Sequence, residues 1–96
     1  IQYKNNKING IAKAWDTNGK LINQVNYVNN KFHGQWIDYF PNGTIQHIIN
    51  YNYGKKHGKE IWYYKSGNIK SQAIYEYDVI ISEILRWDDN GRILNE

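Results

Sequence analysis

Large apolar side chains return along this chain at a fixed interval. Tyr3, Tyr27, Tyr51 and Tyr75 are each 24 residues apart, and the same interval separates Trp15, Tyr39, Tyr63 and Trp87, and also Leu21, Ile45, Ile69 and Ile93. Glycines keep the period too. Gly19, Gly43, Gly67 and Gly91 form one series and Gly10, Gly34 and Gly58 another, with Ser82 standing where the last would fall. Shared periods of this length mark a repeat architecture. The chain divides into four copies of one unit, 3–26, 27–50, 51–74 and 75–96, within a single domain over residues 1–96.

Each unit carries two turn signals between β-branched and aromatic runs. The first is Thr17-Asn18-Gly19, Pro41-Asn42-Gly43, Lys65-Ser66-Gly67 and Asp89-Asn90-Gly91. The fixed φ of Pro41 suits the first corner of a type I turn, which leaves Gly43 in the left-handed position of a three-residue loop with a G1 bulge. That loop sets Tyr39 opposite Ile45, and Trp15, Tyr63 and Trp87 opposite Leu21, Ile69 and Ile93. The second turn ends in Asn6, Asn30, Gly54 and Asp78, residue types that tolerate a left-handed backbone. The expected fold is therefore all-β: an antiparallel up-and-down meander of about eight strands, built from four 24-residue β-hairpin repeats in one elongated sheet.

If both turns keep that register, one face collects the repeat tyrosines, the Trp15 and Leu21 series, Val25, Ile49 and Ala73 as a core stripe. Gly10, Gly34 and Gly58 fall in mid-strand, where glycine weakens a sheet, and the pattern predicts a neighbouring ring laid over each. Phe32, Trp36, Phe40, Trp62 and Tyr64 then alternate onto the opposite face. The matching positions in the outer units are Ile8, Ala12, Ala14 and Asp16, and Ile80, Ile84, Arg86 and Asp88. A central cluster of rings with more polar ends is the pattern of a binding hot spot, so these five are the candidate partner-binding residues. The alternative is that a second layer or a dimer mate covers them.

Composition narrows the chemistry. Ninety-six residues allow one modest domain and exclude an enzyme with separate cofactor and substrate domains. Without cysteine there is no disulfide, thiolate nucleophile or Cys-based zinc site. Ile, Asn, Lys and Tyr make up 48 residues, a bias expected of an AT-rich bacterial genome. Net charge is +3, but residues 1–74 carry ten lysines against three acids and residues 75–96 two arginines against six acids, so the ends differ by sign. The lysines are dispersed and arginine is absent before residue 86, which argues against nucleic acid as the partner. A start without Met reads as a processed or trimmed chain, so a cytoplasmic location and, with an upstream signal or anchor, an exported one both stay open. Exposed sheet edges offer a route to homo-oligomers.

No catalytic, metal or cofactor-binding constellation emerges. His33 and His57 are two strands apart, about 10 Å at ordinary strand spacing, too far for one metal ion. His47 lies on the strand between, with no carboxylate expected at a matching position. The two repeat histidines read as framework groups bonded to a turn carbonyl. Asp88 and Asp89 read as turn caps rather than a catalytic pair. Ser66, Ser71 and Ser82 lack the context of a nucleophile.

Tyr51-Asn52-Tyr53-Gly54-Lys55-Lys56-His57-Gly58-Lys59, with Ile61-Trp62-Tyr63-Tyr64 and Ser66-Gly67 after it, resembles the unit of the MORN-variant repeat, as in bacterial YwqK-type antitoxin proteins. Unit two follows it closely. Unit one has Asn9 in place of His, and unit four has Ile81-Ser82 in place of His-Gly, as a degenerate capping copy would. The resemblance implies an elongated sheet serving as a non-catalytic interaction platform, with a toxin as the protein partner. An anionic phospholipid surface is the alternative, on the strength of the basic first three units and their rings. Similar repeats accompany eukaryotic lipid kinases, but no glycine-rich nucleotide loop or kinase catalytic loop is present, so a phosphoinositide-kinase activity is not expected.

Overall fold

The computed structural model describes the backbone of residues 2–4 and all of residues 7–94; the Tyr3 ring and Asn6 lie outside the described residues. Strands run in chain order as β1 (Gln2–Lys4), β2 (Lys7–Trp15), β3 (Leu21–Val28), β4 (Lys31–Tyr39), β5 (Ile45–Asn52), β6 (Lys55–Tyr63), β7 (Ile69–Glu76), β8 (Val79–Ile80) and β9 (Leu85–Arg86). They form one open sheet in sequence order, antiparallel throughout, with β8 and β9 both pairing with β7 as two pieces of one interrupted strand position. The result is a slab of 50 × 36 × 11 Å, one sheet thick.

Both turn readings hold. Gly43 has φ +91° and donates its N–H to the Phe40 carbonyl, while Phe40 N–H bonds to Thr44 O across the three-residue loop. Tyr39 stands opposite Ile45, Tyr63 opposite Ile69, and Trp87 opposite Ile93. The other turns hold two left-handed residues each, Asn29-Asn30, Tyr53-Gly54 and Tyr77-Asp78, the signature of a two-residue type I′ hairpin. Successive turns are stitched together: Gly54 N–H bonds to Phe32 O and Asp78 N–H to Lys56 O, while Asn68 Nδ2 donates to Asp89 O. Asp88 caps its turn as expected, accepting from Asn90 and Arg92 N–H.

The single core stripe does not survive. Beyond each three-residue loop the register shifts by one residue, between Ala14 and Trp15, Asp38 and Tyr39, and Trp62 and Tyr63. Each shift leaves one extra residue, Ile22, Gln46 or Lys70, and side chains before and after it fall on different faces. Tyr39, Ile45, Tyr63 and Ile69 therefore share an aliphatic face with the cross-strand row Ile37–Ile48–Ile61. Val25 and Ile49 stand on either side of Trp36, on the opposite, aromatic face. Burial is split the same way: Val25, Ala73 and His47 are buried on one face and Ile37 on the other.

The mid-strand glycines also differ from expectation. The atoms that a Cβ would meet belong to asparagines rather than to rings: Asn26 Nδ2 at 3.6 Å for Gly34 and Asn50 Cβ at 3.3 Å for Gly58. Both asparagines bond across the irregularity, Asn26 to His33 O and Asn50 to Lys59 O. Gly34 and Gly58 have φ of +93° and +108°, so each is a bulge whose backbone excludes an ordinary side chain. In the last unit Ile74 replaces the asparagine and Ser82 the glycine, and Ser82 Oγ accepts the Ile74 N–H. The strand breaks there, as a degenerate copy would.

Gly58→Ala meets both a close neighbour and a left-handed backbone, whereas Gly67, at φ +97°, has nothing within 4 Å. The left-handed strain, about 1–2 kcal/mol, falls on both variants. The added contact with Asn50 is expected to make Gly58→Ala lower the melting temperature more than Gly67→Ala, and thermal unfolding of the two variants checks it.

Candidate functional site

The aromatic face is where the unusual chemistry lies. Cross-strand pairing places Asp38, His47 and Trp62 in one row over β4, β5 and β6, and continues it to Ser71 on β7 and Arg86 on β9. His47 is 5% exposed. Its Nε2 lies 2.7 Å from Glu60 Oε2, which accepts from it, and its Nδ1 lies 3.5 Å from Asp38 Oδ2. The imidazole stacks on Trp62 at 3.5 Å between centroids and 9° between planes. The network extends outward at both ends. Trp36 Nε1–H donates to Asp38 Oδ1 at 3.0 Å, and Lys56 Nζ sits 3.5 Å from Glu60 and over the Tyr75 ring at 4.9 Å.

Here the sequence reading is corrected: two carboxylates flank His47. Extended without the bulge, the hairpin register puts Ile37 opposite His47, whereas the one-residue shift brings in Asp38. Both ring nitrogens face carboxylates, and the imidazole held between them braces the indole. Among the described residues no cluster of three or more His, Asp and Glu side chains is placed to hold a metal ion.

The five candidate rings do not form one patch. Phe32 and Trp36 are half-buried, 4.9 Å apart edge to face, and pack with Tyr27 and Tyr51, the repeat tyrosines expected on the other side. Burial among these rings pushes the Tyr51 phenol above its usual value, while Lys56 pulls the other way. Tyr64 donates its hydroxyl to Trp87 O at 2.7 Å, tying the third unit to the fourth. Phe40 lies half-buried beside its turn and lines a concavity of about 350 Å³ with Leu21 and Tyr39. Trp62, at 41% exposure, is the ring of the five that opens to solvent.

The repeat histidines also find partners. His33 Nδ1 accepts the Tyr53 N–H at 3.3 Å and packs tilted against the Tyr53 ring at 4.3 Å, so the bond is to a turn N–H and not a turn carbonyl. His57 packs tilted against Tyr77 at 4.6 Å, and its buried Nδ1 makes no hydrogen bond to any described residue, a turn carbonyl included. Tyr53 and Tyr77 hold φ of +46° and +47°, costly for large side chains, and each ring rests against an imidazole.

Glu60 is only 13% exposed and depends on His47 and Lys56. Removing the imidazole leaves a nearly buried carboxylate short of a partner and opens a cavity under Trp62. His47→Ala is expected to destabilise the fold by about 3 kcal/mol. The double variant His47→Leu with Glu60→Leu should lose less, because paired apolar replacement removes the orphaned charge. Denaturant unfolding of the two variants decides it.

Comparison with known families now has a geometry to meet. The model of the MORN repeat variant matches three times, at residues 8–29, 32–53 and 56–77, together more than half of the chain and in step with the 24-residue period. No curated protein and no solved structure matches the chain. MORN repeats are in general non-catalytic modules associated with binding. With hairpins, period and family model in agreement, the chain belongs to the MORN repeat variant family.

Proposed function

We propose that the chain is a protein-binding scaffold which captures a partner on its aromatic face, centred on Trp62, in the manner of an antitoxin holding a toxin. The observation that carries this reading is Trp62: an indole locked flat on a buried imidazole yet 41% exposed. A rigid, half-exposed tryptophan loses little entropy on binding and is the residue type most often found at interface hot spots. Trp36 joins the same network through Asp38, and Tyr64 ties the third unit to the fourth.

Coexpression with the product of the adjacent reading frame tests the idea. A complex should form and any growth defect should be relieved, and Trp62→Ala should weaken the complex by about 2 kcal/mol, roughly thirtyfold, with the β-sheet spectrum unchanged. A neighbour that neither binds nor harms the cell would sink the antitoxin reading.

A second reading is favoured by a different surface. Lys7, Lys31 and Lys55 open the alternate strands β2, β4 and β6, exposed along one long edge about 10 Å apart. Tyr53 and Tyr77 are about half exposed on the same edge. Lysines with interfacial rings suit an anionic membrane surface, at about 1 kcal/mol per lysine. Vesicles containing phosphatidylserine should sediment the protein at low salt, and the triple lysine-to-glutamate variant should lose about a hundredfold in affinity. Sedimentation indifferent to salt and to the substitutions rejects it.

A further inference from the structure

We propose that the concavity beside Trp62 is a binding site for a single sugar ring. It holds about 270 Å³ on the aromatic face and is lined by Glu60, Trp62, Ser71, Gln72, Ala73 and Arg86 among others. This is slightly below the usual range for small-molecule pockets, about 300 Å³ upward, and so suits a single ring. The site goes beyond the partner-binding reading and stands without it.

The argument begins from the repeat. A residue needed to stack units recurs every 24 positions; of those lining this concavity Tyr75 does so, whereas Trp62, Glu60 and Ala73 do not. Trp62 takes the place of Ala14, Asp38 and Arg86; Glu60 that of Ala12, Trp36 and Ile84; Ala73 that of Val25 and Ile49. The unit that closes the concavity is the one whose strand breaks between Ile80 and Leu85. Several independent departures from the period thus meet in one place. Each has a spatial effect: Ala73, buried, deepens the floor where Val or Ile would fill it; the broken strand opens the wall; and Trp62 supplies a plane.

The chemistry of the lining selects the ligand. One face of the indole is covered by His47 at 3.5 Å, and the imidazole is itself held by Glu60 and Asp38, so the exposed plane is fixed before any ligand arrives. Pairing places Ser71 directly across from Trp62 and Arg86 directly across from Ser71, a hydroxyl and a guanidinium at successive strand spacings from the indole. Glu60 adds a carboxylate that His47 and Lys56 already hold, while Gln72, paired with Ile61, directs its side chain to the aliphatic face. The set joins a hydroxyl, a guanidinium and a carboxylate, and the charges of Glu60 and Arg86 oppose each other. An anion would meet Glu60, and a cation would meet Arg86 and Lys56. A pyranose meets neither objection, because its hydroxyls both donate and accept and its C–H face lies flat on an aromatic plane.

The test uses the whole chain labelled with nitrogen-15 and reads the indole N–H signals during titration with the methyl glycosides of glucose, galactose, mannose and N-acetylglucosamine. The Trp62 signal should shift and saturate for at least one of them, with a dissociation constant of about a millimolar, ordinary for one ring in an open site. Trp15, 57% exposed on the other face, is the internal control and should not move. Ser71→Ala removes a rim hydroxyl without touching the His47 brace and should weaken binding about fivefold; it serves as the test variant if Trp62→Ala disturbs the fold. The proposal fails if no glycoside moves Trp62, if Trp15 moves equally, or if tetramethylammonium or inorganic phosphate binds more tightly than every glycoside. None of these outcomes bears on capture of a protein partner.

Discussion

The extra residue inserted beside each three-residue loop, Ile22, Gln46 or Lys70, governs where the other side chains of the sheet can point. Side chains alternate between faces along a strand, so one added residue sends everything beyond it to the other side. In a slab 11 Å thick that matters more than in a layered fold, since among the described residues no second sheet or helix lies over the apolar side chains. Splitting them between an aliphatic and an aromatic face lets cross-strand neighbours cover both partially. Ile37, Ile48 and Ile61 shield one another in a row, as do Tyr27, Phe32, Trp36 and Tyr51. No described side chain is completely enclosed, and the fold relies on cross-strand pairs and on the hydrogen bonds between successive turns.

A second constraint acts along the edges. Type I′ turns require two left-handed residues, and this chain meets the requirement with Asn29-Asn30 in one unit but with Tyr53 and Tyr77 at the first position of the next two. The substitution is tolerated where a histidine is ready to receive the ring. Unit one has Asn9 at that position, and its side chain accepts the Asn29 N–H at 3.2 Å, the bond that His33 accepts from Tyr53. Turn residue and mid-strand residue thus change together from unit to unit.

What could be read from the residues follows from these constraints. The 24-residue period, the three-residue loop with its closing pairs and the left-handed residue ending each second turn were legible because Gly43, Pro41 and Asn30 carry their backbone preferences in their identity. The face assignment was not, because the residues that make the bulge share no type: an isoleucine, a glutamine and a lysine. One misplaced residue put Ile37 where Asp38 stands, which hid the carboxylates around His47 and put the repeat tyrosines on the wrong side of Phe32 and Trp36. The partner of Gly58 was hidden for a related reason. Asn50 fills the space because the bulge turns it there, and a glycine alone says only that space is needed.

The row from Asp38 through His47 to Trp62 is then hard to explain as a device for stability. Withdrawing an imidazole and a carboxylate from water costs more than most pairings return, and an apolar pair in their place would often hold a sheet as well or better. The repeat itself does without the charged pair: at the positions of Glu60 and His47 other units carry Ala12, Trp36, Asn23 and Ser71, and the hairpins still form. What the charged row does that an apolar one would not is fix an indole in a single orientation, one face against the imidazole and the other toward solvent. Binding proteins gain from that kind of rigidity, since a side chain already held in place has little freedom left to lose. The costly part of this sheet is therefore best accounted for by what it presents.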